Sequence, residues 1–325
     1  MSKKLLVAPS PHLHSDESTR RIMLDVLLAL VPALCVSVII FGLKVLCITS
    51  VAILSCLVFE YLLSRFVAEE KRSSCGDLSA VVTGLLLGFN LPATLPVWLV
   101  VMGAFVSIGV AKMSFGGIGK NPFNPALVGR VFLLIAYPVQ MTSFPTIEGV
   151  ADSFSGATPL AALKAGDGVT VADVNFQDMM LGHVSGSLGE VAALALIIGG
   201  LYLLWRKVIS WHIPVAIFVS MVVVAMAFGL FSAGYSSYDA LRFALFHLLA
   251  GGAILGAVYM ATDYSTSPMT HKAMLIYGVG IGVITMAIRL WGAYPEGISF
   301  AILVMNSCVP LLNKYFKPKR FGVKK

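Results

Sequence analysis

The chain alternates between long apolar runs and short polar segments. The apolar runs fall at about 22–41, 45–64, 77–92, 94–111, 123–139, 188–205, 212–231, 243–261, 273–290 and 297–313. Several approach the roughly 20 residues that a helix needs to cross the hydrocarbon core of a bilayer. They lack the strict alternation of a barrel strand, so they predict helices. The pattern predicts an all-α polytopic membrane protein with ten transmembrane helices, of which the third and eighth are short or broken.

Composition supports this interpretation. Mean hydropathy is +0.89, and only 12% of the residues are charged, against about 25% in soluble domains. The net charge of +7 does not indicate nucleic-acid binding, because the basic residues lie between the apolar runs and at the two ends. The five cysteines show no C-x-x-C spacing, which argues against a protein-held iron–sulfur or zinc site.

The basic side chains are distributed unevenly between the two predicted faces of the membrane. With the N-terminus placed in the cytoplasm, 19 of the 23 Lys and Arg residues fall on the cytoplasmic side, including Lys112 and Arg130 at helix ends, and four fall on the outer side, including Arg289. This excess follows the positive-inside rule, so both termini are expected in the cytoplasm. The predicted regions are an N-terminal tail (1–21), a first five-helix repeat (22–139), an extracytoplasmic loop (140–187), a second, inverted five-helix repeat (188–313) and a basic cytoplasmic tail (314–325).

Two short apolar segments resemble each other. TGLLLGFNLPAT (Thr83–Thr94) and GGAILGAVYMAT (Gly251–Thr262) align at an offset of 168 residues, each in the third segment of its five-helix half. Because five is odd, the two halves are expected to have opposite orientations. Inverted repeats with broken helices at matching positions place a ligand site near the pseudo-twofold axis. Close packing of two Gly-rich helices is the alternative explanation.

Two polar islands interrupt the apolar runs. In FGGIGKNPFNPALVGR, the amides of Asn121 and Asn124 could pair with the edge of a heterocycle, or the two Asn-Pro steps could only shape a turn and cap a helix. In ATDYSTSPMTHK, Asp263 follows the broken eighth segment, where an acid is either functional or a helix cap. His247 lies within the eighth segment and is either a ligand or relay, or a buried structural histidine.

A third island, DSFSGATPL, lies in the predicted outer loop. Together with GGIGKNPFNPALVGRVFLL and IRLWGAYPEGISFAILVMNSCVPLL, it makes the chain resemble the D subunit of the Rnf complex and its homologue, the B subunit of the sodium-translocating NADH:quinone oxidoreductase. The resemblance implies that Thr158, the last residue of D-x-x-S-G-A-T, carries FMN through a phosphoester bond formed by a flavin transferase. It also implies that the transferase recognises four preceding residues, which are Asp152, Ser155, Gly156 and Ala157.

The resemblance implies further cofactors and partners. One branch of the family holds a noncovalent riboflavin, and Asn121 and Asn124 are its expected ligands here. The partners implied are membrane and extracytoplasmic flavin subunits, cytoplasmic iron–sulfur and NAD-binding subunits, and the flavin transferase. No catalytic residue, metal site or nucleic-acid partner is expected.

The leading hypothesis for function is a membrane electron-transfer subunit of an Rnf-type ion-translocating ferredoxin:NAD oxidoreductase in the bacterial inner membrane, not active alone. Because the first apolar run begins near residue 22, without a long N-terminal extension, the Rnf branch is favoured over the quinone-reductase branch. The alternatives are the B subunit of the quinone reductase, a non-redox channel or transporter with the same inverted repeat, and a membrane scaffold without a flavin.

Overall fold

Helices dominate the computed structural model, which describes residues 18–66, 74–145, 155–156, 158–165, 175–182, 184–191 and 193–317. In chain order the helices are α1 (Thr19–Phe41), α2 (Lys44–Phe66), α3 (Ser79–Phe89), α4 (Val97–Phe105), α5 (Pro125–Ala136), α6 (Pro138–Thr142), α7 (Pro159–Ala165), α8 (Phe176–Leu181), α9 (Ala193–Trp205), α10 (His212–Phe231), α11 (Ser237–Leu249), α12 (Ala253–Leu255), α13 (His271–Trp291) and α14 (Ile298–Tyr315). A short antiparallel ladder pairs β1 (Phe144–Pro145) with β2 (Ser155–Gly156). The predicted all-α class is confirmed apart from this ladder.

Each of the ten predicted apolar segments overlaps a helix or a pair of helices. Among the described residues, six helices are long and apolar enough to cross a membrane: α1, α2, α4 with its extension to Phe115, α10, α13 and α14. A seventh candidate combines α11 with Ala253–Met260, which meet at an angle of 64°. The helices α3, α5 and α9 are apolar but shorter. The protein is therefore a multi-pass membrane protein with a short third segment and a bent eighth segment.

The predicted helix at 188–205 begins later than its apolar pattern suggests. Leu188 and Gly189 donate their backbone N–H groups to the carbonyls of Leu91 and Phe89, at 3.2 and 2.8 Å. These bonds to a neighbouring segment replace the helical ones, so α9 begins at Ala193. The linker 184–191 thus lies against the C-terminal end of α3 and delivers Glu190 to the protein interior.

Glycines bring the helices into close contact. The helix α2 packs against α3 and α4, α10 packs against α11 and α13, and α1 packs against α9. A methyl group added to Gly84 of α3 would lie 2.6 Å from the Cα atom of Ile53 in α2. One added to Gly278 of α13 would lie 2.6 Å from the Cβ atom of Ala216 in α10. Small residues at such contacts are typical of helix packing in membranes.

The bend between α11 and α12 depends on two glycines. Gly251 and Gly252 have φ values of 65° and 64°, in the left-handed region that residues with a side chain rarely adopt. A Cβ atom on Gly252 would also lie 2.5 Å from the Oε1 atom of Glu190. Gly252 aligns with Gly84 in the sequence repeat, but the two have different roles. Gly84 allows α2 and α3 to pack closely, whereas Gly252 lies at a helix bend and leaves room for the carboxylate of Glu190.

Candidate functional site

Thr158 lies between β2 and α7, on the segment that the family resemblance implies to be flavinylated. Its Oγ1 atom accepts a hydrogen bond from the N–H of Ala161 at 3.2 Å, and its carbonyl accepts one from Ala162 at 2.9 Å. Thr158 is therefore the residue that caps α7, and only 6% of it is exposed. Ser155 and Gly156 form β2. Asp152 and Ala157, the other predicted recognition residues, lie outside the described residues.

A cavity of about 280 Å³ opens beside Thr158. It is lined by Asn90, Arg130, Leu134, Met141, Thr142, Phe144, Thr158, Ala161, Tyr294, Pro295 and Glu296. Its volume lies near the lower end of the roughly 300–1,000 Å³ that is usual for small-molecule sites. The lining combines apolar and aromatic surface with a guanidinium and a carboxylate, so the cavity suits a flat ring with a polar edge.

Arg130 forms the polar wall of this cavity. Its Nη2 atom donates to the Oε1 atom of Glu190 at 3.2 Å and to a carboxylate oxygen of Glu296 at closer range. Its Nη1 atom donates to the Oδ1 atom of Asn90 at 2.7 Å and to the hydroxyl of Ser299 at 2.9 Å. The topological count placed Arg130 at the cytoplasmic end of its helix, but it is buried among helices and only 4% exposed.

The second buried arginine of this region holds the bent helix. Arg289 of α13 donates from Nη2 to the carbonyls of Ala250 and Gly251, at 2.9 and 3.1 Å, and from Nη1 to the carbonyl of His247. These are the carbonyls that lose their helical partners where α11 ends. The charge count predicts Arg289 on the outer side of the membrane, but the residue is 4% exposed and caps a helix end. The side chain of His247 is buried, with its ring edge-on to Phe243 at 4.5 Å between centroids.

Lys164 connects α7 to the end of α13 and to the segment after it, which contributes Tyr294 to the cavity lining. Its ammonium group donates to the carbonyls of Ile288 at 3.3 Å, Tyr294 at 2.9 Å and, more closely, Gly292. Partial burial lowers the pKa of this lysine. Because Thr158 precedes α7 and Tyr294 lines the cavity, these bonds hold the two sides of the cavity together.

The two asparagines lie elsewhere, on a separate and smaller cavity of about 50 Å³. The Nδ2 atom of Asn121 donates to the carbonyl of Phe123 at 3.0 Å and to the hydroxyl of Ser265 at 3.2 Å. The Oδ1 atom of Asn124 caps α5, and its Nδ2 atom donates to the carbonyl of Met260 at 3.2 Å. Asn124 thus has the turn-shaping role that the sequence left open. The cavity is smaller than usual ligand sites, so a flavin would require neighbouring side chains to move.

Asp263 lines the same small cavity. Its Oδ2 atom accepts hydrogen bonds from the hydroxyls of Ser265 at 3.1 Å and Thr266 at 3.2 Å. Burial raises the pKa of this carboxyl, although these hydrogen bonds act in the opposite direction. Within the described ranges, no group of three or more His, Cys, Asp or Glu side chains could hold a metal ion.

Sequence patterns missed several buried ion pairs. Lys112 donates to both carboxylate oxygens of Glu60 at 2.8 Å and to the hydroxyl of Ser79 at 2.6 Å. The charge count predicts Lys112 on the cytoplasmic side, and the structure buries it there, with 2% of the residue exposed. The available signal was Glu60 itself, since an acid inside an apolar helix of 23 residues requires a partner. Glu190 and Glu296, by contrast, lie in Gly-containing segments that look like turns, so the sequence pattern does not indicate that they are buried.

The apolar helices and their buried ion pairs define a multi-pass membrane protein with a polar site at a bent helix. The model of the NQR2, RnfD, RnfE family matches residues 6–322, and the chain belongs to this family. It is 41% identical to the D subunit of the Na⁺-translocating ferredoxin:NAD⁺ oxidoreductase complex of Acetobacterium woodii, covering 99% of this chain and 96% of that protein.

Other relatives are similar over comparable lengths. The D subunit of the proton-translocating ferredoxin:NAD⁺ oxidoreductase complex of Clostridium ljungdahlii is 38% identical over 98% of this chain and 96% of its own length. The D subunit of the ion-translocating oxidoreductase complex of Escherichia coli is 36% identical over 98% of this chain and 99% of its own length. The resemblance inferred from the three sequence motifs is therefore confirmed.

Proposed function

We propose that this chain is the D-type membrane subunit of an Rnf-type, ion-translocating oxidoreductase complex, and that it carries electrons on FMN bound covalently to Thr158. The near full-length similarity to subunits with that name supports its place in such a complex. The observation that carries the flavin proposal is the cavity of about 280 Å³ beside the threonine of the D-x-x-S-G-A-T motif.

The residues around the cavity fit a flavin. Phe144, Leu134 and Met141 offer apolar surface for the faces of a planar ring, and Tyr294 adds an aromatic side chain. Arg130 and Asn90 offer polar groups for the edge of the ring. A bound flavin would supply one- and two-electron chemistry, while these residues would hold it, orient it and exclude water.

Attachment requires that the transferase reach a residue that is 6% exposed. We propose that α7 leaves its position during attachment and docks afterwards. Among the described residues, α7 is held by the hydrogen bonds of Lys164 to backbone carbonyls and by the packing of Leu160 and Leu163 against the core. Docking would then enclose the ring in the cavity and keep the flavin in one place between successive electron transfers.

For topology, we propose ten crossings arranged as two inverted five-helix halves, with both termini in the cytoplasm and Thr158 on the opposite side. The helix neighbours support this arrangement, because α2 contacts α3 and α4 as α10 contacts α11 and α13. The helices α1 and α9, which begin the two halves, pack against each other. Leaving the buried Lys112, Arg130 and Arg289 out of the count of basic residues reduces 19 to 17 on the cytoplasmic side and 4 to 3 on the other, so the cytoplasmic excess persists.

We further propose that Asn121 contributes to a second, noncovalent riboflavin site on the opposite side of the membrane from Thr158. The Oδ1 atom of Asn121 accepts no hydrogen bond from any residue in the described part of the chain, so it is available to a ligand. Asn124 would support this site through the backbone of Met260.

The mass of the peptide that contains Thr158 tests the central proposal. An added FMN group would distinguish a redox subunit from a channel or a flavin-free scaffold, because neither alternative requires a flavin on this residue. Co-purification with iron–sulfur and NAD-binding subunits, rather than with a quinone-reducing assembly, would distinguish the two branches of the family.

A further inference from the structure

Two buried carboxylates meet at one guanidinium nitrogen. The Nη2 atom of Arg130 bonds to both Glu190 and Glu296, whose side chains are 5% and 12% exposed. The other hydrogen-bond partners of Arg130 among the described residues are neutral: Asn90 and Ser299. One positive charge therefore faces two carboxylates, and Thr158 lines the same cavity as Arg130 and Glu296. Arg130 can balance only one of the two negative charges, and the electron transfer proposed above assigns no role to the other.

Within the described ranges of the chain, no second cation forms an ion pair with Glu190 or Glu296. Arg289 acts on both carboxylates electrostatically from a distance, but its Nη atoms bond to backbone carbonyls at the helix bend. From the side of α12, the carboxylate of Glu190 faces Gly252, which has no side chain. The imidazole of His247 packs against aromatic rings, and no hydrogen bond joins it to either carboxylate in the part of the chain that the structure describes.

Two carboxylates in one buried site resist simultaneous ionisation, and the first proton binds to the pair more tightly than to an isolated carboxylate. Here burial, followed by repulsion from Glu296, raises the pKa of Glu190, while Arg130 acts in the opposite direction. A further negative charge in the adjacent cavity would raise the proton affinity of the pair again, because charges inside a protein are screened less than charges in water.

We propose that the cluster of Arg130, Glu190 and Glu296 takes up one proton when an electron reaches a flavin on Thr158. This inference rests on the proposed function. The electron comes from a one-electron donor, and the proton comes from water at the outer face and forms one O–H bond on the carboxylate pair. The cavity and cluster together then gain no net charge. On reoxidation the carboxylate pair releases the proton.

The test is a reductive titration of the full-length subunit, purified after co-expression with its transferase, at several values between about pH 5.5 and pH 8.5. The fluorescence of the denatured band first establishes that flavin is attached. The Thr158→Ala protein provides the signal of any noncovalent flavin, which is subtracted. Glu190→Gln and Glu296→Gln each remove the shared proton site, and Asp239→Asn, on the exposed first turn of α11, makes the same charge change away from the cavity.

The titration gives the equilibrium constant for one-electron reduction of the flavin on Thr158. The value for each Gln variant, divided by the value for the wild type, should rise with pH. At low pH the pair is protonated in both redox states, so the variants resemble the wild type. At high pH the wild type retains an additional negative charge, which disfavours reduction. If reduction raises the pKa of the pair by one unit, the ratio changes about tenfold, which is 59 mV for a one-electron couple. Asp239→Asn should follow the wild type at every pH.

A second readout requires no variant to fold. The infrared difference spectrum between the reduced and oxidised wild-type protein should contain a protonated carboxyl band, which the Gln variants that fold should lack. A ratio that stays constant with pH, or a difference spectrum without that band, overturns the inference even when flavin is present on Thr158. A protein without flavin on Thr158 overturns the proposed function, and this inference with it.

Discussion

Arg130 in α5 and Glu296 in the linker before α14 form a buried ion pair, although 166 residues separate them in the chain. The pair joins the last helix of the first half of the sequence to the segment that precedes the last helix of the second half. It also lines the cavity at Thr158. One contact therefore links the packing of the two halves to the proposed cofactor site.

Replacing Arg130 should destabilise the protein strongly. Arg130→Met leaves Glu190 and Glu296 buried without their cation, and breaking a buried pair in this way costs about 3–5 kcal/mol. The measurement is the midpoint of heat-induced unfolding in detergent. Arg65→Met, at the exposed end of α2, is the control and should cost less than about 1 kcal/mol. Equal losses for the two variants would contradict the account of the cluster.

An added side chain should destabilise the protein more at Gly252 than at Gly234, a glycine with nearly the same φ value. Gly234 has a φ value of 66°, and a Cβ atom added to it would meet no described atom within 4 Å, so Gly234→Ala should cost only about 1–2 kcal/mol of left-handed strain. Gly252→Ala adds a clash with Glu190 and should cost roughly 1–3 kcal/mol more. Thermal unfolding of both variants gives this difference directly. Similar values would mean that Glu190 does not lie against the bend.

The riboflavin proposal predicts different effects at the two asparagines. Asn121→Leu should reduce the retention of noncovalent flavin roughly five- to hundredfold, since one hydrogen bond to a bound ligand is worth about 1–3 kcal/mol. Asn124→Leu should in addition cost about 0.5–2 kcal/mol of stability, because it removes the cap of α5. Acid extraction of riboflavin, counted against covalent FMN, separates these effects.

Asn175→Leu is the matched control for that experiment. It removes the cap of α8 and lies outside the lining of the small cavity. It should therefore leave both flavins in place. If stable Asn121→Leu protein retains all of its riboflavin, this residue is not a ligand.

The proposed topology predicts opposite labelling at two exposed positions, Gln177 and Ser114. In a background without the native cysteines, Gln177→Cys in α8 should react with an impermeant thiol reagent from the extracytoplasmic side. Ser114→Cys, between α4 and α5, should react only after the membrane is opened. Labelling of position 177 only from the cytoplasm would reverse the topology and would exclude flavin attachment outside the cytoplasm.

The helices could be predicted from the sequence because each long apolar run has few possible structures in a membrane. The bend at Gly251 and Gly252 could also be anticipated from the length and glycine content of its segment. The ion pair of Arg130 with Glu296 could not, because the two residues are 166 positions apart and no sequence pattern relates the segments that carry them. The burial of Lys112 could not be predicted either. A count of charges gives the side of the membrane on which a basic residue lies, but only the fold shows that Lys112 pairs with Glu60.

The most direct test of the account is the state of Thr158 in protein from cells that contain the flavin transferase. Wild-type protein should yield a Thr158 peptide with the added mass of FMN, and its denatured band should fluoresce. Thr158→Ala should abolish both signals. Thr142→Ala should retain them, because Thr142 lines the same cavity but bonds to the carbonyl of Pro138 and lies outside the motif. A wild-type peptide of unmodified mass, or fluorescence that persists in Thr158→Ala, would contradict the account.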